Sequence, residues 1–169
     1  MLAKIKRILH HRLLDEADTR KAIPPALEQR LAQRVAASER RHTGEIRICV
    51  EASLPTSYLL RDATPRQRAI TMFGKLRVWD TEQNNGVLVY LLLAERKIEI
   101  VADRGLVRRV DPGEWQRIVQ RMGTAFREGR YEDGLTQALE EVSALLVEHF
   151  PAAPGEVRTN ELPDDPVLG

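Results

Sequence analysis

The sequence predicts an α/β fold: a three-layer-like sandwich whose central mixed sheet, with strands at about 45–52, 86–94 and 97–103, is flanked by helices on both faces. Three observations predict it. "GVLVYLLLA" at 86–94 is apolar on both faces, as a strand in the middle of a layered domain must be. "ERK" leaves room only for a tight turn before "KIEIVA" returns as the antiparallel partner. Segments with helical apolar spacing stand before, between and after these strands. The strand–helix–strand unit from 45 to 94 then reads as a right-handed parallel crossover, the hand in which a twisted strand and a right-handed helix pack back onto their sheet.

Each element has its own signal. In "LAKIKRILHHRLL", residues 2–14, Leu2, Ile5, Leu9 and Leu13 fall near one helical stripe, and Lys4, Lys6, Arg7 and Arg12 lie mostly elsewhere. "DEADTRKAIPP" reads as a linker closing at Pro24-Pro25, so residues 1–23 form a basic amphipathic extension and the α/β domain spans 24–150. Leu27, Leu31 and Val35 recur every four residues and predict a helix over about 26–42. Ile46, Ile48 and Val50 alternate with Glu45, Arg47, Cys49 and Glu51, the pattern of a half-buried strand.

Thr64, Pro65 and Gln67 compose a capping box with proline at the first helical position, and Ile70, Phe73 and Leu76 mark the buried face of that helix. Asp111, Pro112 and Glu114 repeat the device, with Trp115, Ile118, Val119, Met122 and Phe126 along the core face. Gly129 interrupts. A last helix over about 131–150 carries Leu135, Leu139, Val142, Leu146 and Phe150, and Pro151 stops it. The segment 151–169 is rich in proline and acidic residues and has too few apolar ones to pack independently.

Composition excludes several classes. The 169 residues suit one domain, and 43% hydrophobic content can build a core without staples. Charged residues are 30% and sum to +1, without the basic excess of a dedicated nucleic-acid binder. The one cysteine, Cys49, can form neither an intramolecular disulfide nor a thiolate metal site and reads as a small buried hydrophobe. No apolar run approaches the roughly 20 residues of a membrane-spanning helix, and no signal-peptide pattern opens the chain, so a cytoplasmic location is expected. Phosphate-binding glycine loops and the Gly-x-Ser-x-Gly elbow are missing.

The polar residues worth following bracket the predicted hairpin. In an antiparallel pair the start of the first strand and the end of the second share an edge, which makes Asp80, Glu82, Asn84 and Asn85 neighbours of Asp103 and Arg104. A parallel strand beginning at Glu45 brings Thr43 to the same edge, and Asp111 lies only six residues beyond Gly105. Hard cations take six or more oxygens, which carboxylates and asparagine carbonyls supply. Turn and cap duties account for the same residues without a ligand: Asn85-Gly86 is a turn signal and Asp111 a helix cap. Arg104, Arg108 and Arg109 would suit an anion beside such a metal, and His42, next to Thr43, is the histidine placed for proton transfer.

"RHTGEIRICVE", "NNGVLVYLLLAERKIEIVADRGL" and "FREGRYEDGLTQAL" together resemble the TPM domain family, over about residues 26–150. "NELPDDPVLG" is similar to the tails of its stand-alone bacterial members. The resemblance implies an α/β sandwich and, in some members, calcium at the loop edge. It also implies phosphatase or nucleotide-hydrolysing activity in some members and partner binding in others. Asp80 and Asn84 or Asn85 match the polar loop before the family's hairpin. Asp103 stands where metal-binding members have a glycine-aromatic-glycine turn, Val107 replaces their glutamate after glycine-leucine, and Asp111 is a looser match to a downstream acid. Glu82 and Asp103 are the compensating donors.

The expected function is that of a binding or assembly module, with calcium as the cofactor to test at Asp80, Asn84, Asn85, Asp103 and Asp111, aided by Glu82. The alternative is a metal-assisted phosphohydrolase at the same edge. For residues 2–14 the expected roles are packing on the domain and contact with a protein partner or a second copy. Contact with an anionic membrane surface ranks last.

Overall fold

The structure, a computed structural model, describes residues 1–169. Its sheet has four strands in the order β3-β2-β1-β4: β1 (Glu45–Glu51), β2 (Gly86–Leu92), β3 (Lys97–Ala102) and β4 (Val167–Leu168). β1 runs parallel to β2, with Ile46 opposite Val87, and also to β4, with Cys49 opposite Val167. β3 returns antiparallel, Val89 facing Ile100, after a short 3-10 turn in which Arg96 takes φ 49°. The α/β sandwich is as the sequence predicts, with strands a residue or two shorter.

The helices are α1 (Leu2–Arg12), α2 (Glu16–Ala22), α3 (Pro25–Glu39), α4 (Thr56–Leu60), α5 (Pro65–Lys75), α6 (Arg104–Val107), α7 (Pro112–Arg127) and α8 (Tyr131–His149). On one face Ile46, Ile48, Val50, Val87, Val89 and Leu91 pack against α3, α7 and α8. On the other Cys49, Leu88, Tyr90 and Leu92 meet Tyr58 of α4 with Ala69 and Met72 of α5. Fully buried leucines such as Leu31 and Leu88 each contribute about 1.5–3 kcal/mol. No helix is long and apolar enough to cross a membrane.

Several local expectations are corrected. The "linker" contains α2, started by a capping box in which Asp15 accepts from the Ala17 amide and Asp18 accepts from the Asp15 amide. β1 is buried along its whole length, because its polar side chains also find partners. Arg68 grips both oxygens of Glu51 at 2.9 Å, Arg47 donates to the Pro163 and Asp165 carbonyls, and Glu45 accepts from the Glu161 amide. That grip turns α5 so that Pro65, Arg68, Ala69 and Met72 face inward, while Ile70, predicted buried, is exposed. On α7, Ile118, Met122 and Phe126 are buried as expected, but Trp115 and Val119 are only partly covered. Glu114 does not close a capping box; Arg117 and Arg121 hold it instead.

The final residues do not pack alone, but they pack on the domain. Leu162 is buried beside Leu88 and Tyr90, and the Gly169 amide and carbonyl bond to Val50 and Ala52, completing the β1 edge. Cys49, beside β4, is a free and fully buried thiol, and burial pushes its pKa up to about 12, with Glu51 adding to the effect.

α1 docks in the orientation opposite to the one its stripe suggests. Lys4 pairs with Asp62, Arg7 with Glu95, and buried His11 contacts Glu95 while its Nδ1 accepts from the Leu54 amide. Apart from Ile8, which packs on the core, the side facing the domain is polar, and the stripe of Leu2, Ile5, Leu9 and Leu13 faces out.

Candidate functional site

The hairpin ends meet. The Asp103 amide donates to the Gly86 carbonyl, and the Gly105 amide donates at 2.8 Å to the carbonyl of Asn84, which sits at φ 51°. The approach is close enough to require Gly105, whose Cβ would lie 2.4 Å from the Asn84 oxygen, and the segment before β2 presses equally on Gly86, whose Cβ would lie 2.0 Å from the Val78 oxygen. The Asn85 side-chain Nδ2 donates to Thr43 Oγ1, tying the start of β1 to the same edge. Thr43 in turn donates to Gln83.

The acidic side chains predicted for this edge are not drawn into one cluster, and each has a local duty. Asp80 is paired with Arg77 at 2.7 Å. Asp103 caps α6 through the Arg104 amide, and Asp111 caps α7 through the Gly113 amide, each at 2.7 Å. Glu82 is exposed, and its backbone amide donates to Glu161. Arg109 donates to the His149 carbonyl and lies over the Phe150 ring, whereas Arg104 and Arg108 stand exposed. Two buried oxygens at the edge lack a partner, Asn85 Oδ1 and Asp103 Oδ2. Two such oxygens fall short of the six or more that calcium takes, and no three histidine, cysteine, aspartate or glutamate side chains converge in a metal-holding group.

A different feature lies at the far edge of the sheet. β3 has no strand beyond it. Since Asp103 bonds to Gly86, the alternation of an antiparallel ladder turns the backbone groups of Ile98, Ile100 and Ala102 away from β2. The Ile100 carbonyl is met only by the guanidinium of Arg66, at 2.5 Å, which also stands 3.6 Å from Glu99. Beside this open ladder runs a groove of about 550 Å³, floored by Ile100 and Ala102 and walled by Val107, Val110, Trp115 and Val119. The Trp115 Nε1 hydrogen has no acceptor in the chain. Helical periodicity assigned Trp115 and Val119 to the core. The signal that separates them is their place on α7 beside the exposed Val107, beyond the edge strand.

A second polar cluster was also missed. Glu39, at the end of α3, and Glu45, at the start of β1, line a polar cleft of about 190 Å³ with Arg158, Asn160 and Asp164. Burial, reinforced by the negative charges of Glu45 and Asp164, pushes the Glu39 carboxyl up, and burial raises Glu45 as well. Glu39 Oε1 accepts from the Ile46 amide. The neighbouring carboxyl of Glu45, whose Oε2 finds no donor in the chain, adds to the upward shift of Glu39. His42 is no surface proton carrier: fully buried, it bonds to Ser38, which bonds to Ser143, and burial, then the charge of Arg158, lowers its pKa to about 4.

The comparisons with known proteins agree with this architecture. The chain resembles the BA42 protein of the psychrophilic bacterium Bizionia argentinensis, solved by NMR, with a TM-score of 0.72 and 24% identity, covering 84% of this chain and 92% of that one. It also resembles the N-terminal domain of a protein from P. gingivalis, with a TM-score of 0.56 and 24% identity, covering 72% and 76%. At these identities the likeness concerns the fold. Among curated proteins nothing matches. The profile of the TPM domain matches residues 17–145, from α2 to the last turns of α8 and across both glycine contacts of the hairpin edge. With most of its length matched in this way, the chain belongs to the TPM domain family.

Proposed function

We propose that this TPM domain is a protein-binding module whose working surface is the open edge of β3. The observation that carries the reading is the outward-turned ladder of Ile98, Ile100 and Ala102 beside an apolar groove, guarded by the one guanidinium of Arg66. The occupant it suits is an extended segment of a partner protein. Backbone groups of such a segment would pair with β3, and alternate apolar side chains would enter between Ala102, Val110 and Trp115. The opposite edge of the same sheet takes a strand in this way from the chain's own last residues.

The test is a titration with extended peptides bearing alternate apolar residues, followed by amide and indole NMR shifts. Shifts confined to Ile98, Ile100, Ala102 and Trp115, and abolished by Val119→Arg, support the reading. Shifts spread over the surface, or retained in Val119→Arg, overturn it.

Calcium at the hairpin edge is the second reading, favoured by the two unpartnered oxygens of Asn85 and Asp103. Saturating calcium should then raise the unfolding midpoint of chelator-treated protein by about 5–10 °C, an effect lost in Asp103→Asn. An unchanged midpoint removes the metal, and with it the metal-assisted phosphohydrolase that Asp80 and the exposed Arg104 and Arg108 would serve.

A further inference from the structure

α1 lies outside the residues that match the TPM profile, and it is attached in an unusual sense. Amphipathic helices on a domain ordinarily turn their apolar stripe inward. Here Lys4, Arg7 and His11 face the domain with Ile8 as the one apolar residue among them, and Leu2, Ile5, Leu9 and Leu13 remain 78%, 47%, 59% and 81% exposed. The docking contacts reach partners that are distant in sequence, Asp62, Glu95 and the Leu54 amide, so they fix which side is presented.

The charge pattern around the stripe identifies what it meets. At 100° per residue, Ile5, Leu9, Leu2 and Leu13 span one arc, with Arg12 on one flank and Lys6 on the other, both exposed. The helix contains no acidic residue. A second copy would bring the same cations face to face, and one side of an 11-residue helix falls well below the roughly 800 Å² per partner of a stable interface. An apolar ridge between two rows of cations is the arrangement that settles at the boundary between headgroups and acyl chains of an anionic bilayer.

We infer that α1 is a membrane-surface contact, which lays Leu2, Ile5, Leu9 and Leu13 into an anionic lipid surface while Lys6 and Arg12 meet its headgroups. The polar underside keeps the domain attached above the bilayer. This reverses the order in which the sequence ranks the roles of residues 2–14, because the sequence does not reveal which side of the helix the domain takes. It is independent of what occupies the β3 groove.

The experiment is co-sedimentation of the full chain with vesicles of phosphatidylcholine alone and with about one third phosphatidylglycerol, where partitioning should rise about tenfold or more with the anionic lipid. Binding should fall in about 0.5 M salt, as an electrostatic contribution requires. Leu9→Glu should abolish it with an unchanged unfolding midpoint, and the double variant Lys6→Glu, Arg12→Glu should weaken it in anionic vesicles. Equal sedimentation of wild type and Leu9→Glu overturns the inference, as does no binding to anionic vesicles. A concentration-dependent dimer that Leu9→Glu dissolves, without lipid binding, would assign the stripe to a second copy and equally overturn it.

Discussion

Along β1 the sheet ends beneath the last residues of the sequence, whereas along β3 it ends on a guanidinium group and a groove. The first edge is closed several times over. The Gly169 amide and carbonyl pair with Val50 and Ala52, Thr19 donates to Gly169, Arg47 holds two carbonyls of the segment, and Leu162 is buried under it. The second is closed once, by Arg66 on the Ile100 carbonyl. Both edges expose the same backbone chemistry, but displacing the cover costs many contacts on one side and one on the other. An edge meant to stay shut and an edge free to exchange its cover differ in this redundancy, not in the strands themselves.

The largest effect should come from breaking the closed edge. Removing residues 157–169 unburies the Leu162 site and deletes the bonds to Arg47, Glu45 and Val50, costing about 3–5 kcal/mol and lowering the unfolding midpoint by about 10 °C or more. A drop of less than about 3 °C would show that the segment decorates the edge without holding it.

A smaller, pH-dependent effect belongs to the carboxyl pair under that segment. Glu39 has its folded pKa raised by burial and by its acidic neighbours, so its contribution is complete below the unfolded carboxylate value and is lost as pH rises toward about 9. Glu39→Gln keeps the acceptor for Ile46 and supplies a permanent donor to Glu45. It should be neutral near pH 4.5 and stabilising by about 1 kcal/mol at pH 8, read from denaturant midpoints at the two pH values. Equal effects at both would mean that Glu39 is ionised in the fold. His42 acts in the opposite direction. Its pKa, lowered to about 4, means that stability is present above the ordinary imidazole range and lost as pH falls toward that value, so acid unfolding should persist in Glu39→Gln.

The smallest effect is on the open edge. Arg66→Ala removes a half-exposed side chain and should change stability by less than about 0.5 kcal/mol, yet speed hydrogen exchange locally around Ile98 and Ile100. A large stability loss would make Arg66 part of the closure and the edges alike.

What could be read from the sequence follows from the range of each signal. Thr64, Pro65 and Gln67 act within four residues, and the capping box is present as predicted. The unbroken apolar run of β2 and its short turn likewise placed β3 and brought Asn84 to Gly105. α2 was legible too, since Asp15 and Asp18 form a box, but its few apolar residues hid it behind the prolines. β4 is two residues long and has no period to detect. The outward face of α1 and the inward turn of α5 depend on Glu95, Asp62 and Glu51, partners that no local pattern can supply. At the hairpin edge the sequence brought Asn84 to Gly105 and read Asp111 as a cap, but it did not foresee the cap at Asp103 or the pairing of Asp80 with Arg77.

Cys49 turns the closed edge into a clock. Opposite Val167 and fully buried, with its thiol held protonated by burial, it is out of reach of an alkylating reagent at neutral pH until the cover lifts. Because it is the one thiol in the chain, the rate of its modification counts openings of this part of the sheet. Where reclosing outpaces alkylation, that rate reports the equilibrium share of open molecules, and at high reagent concentration it becomes the opening rate itself.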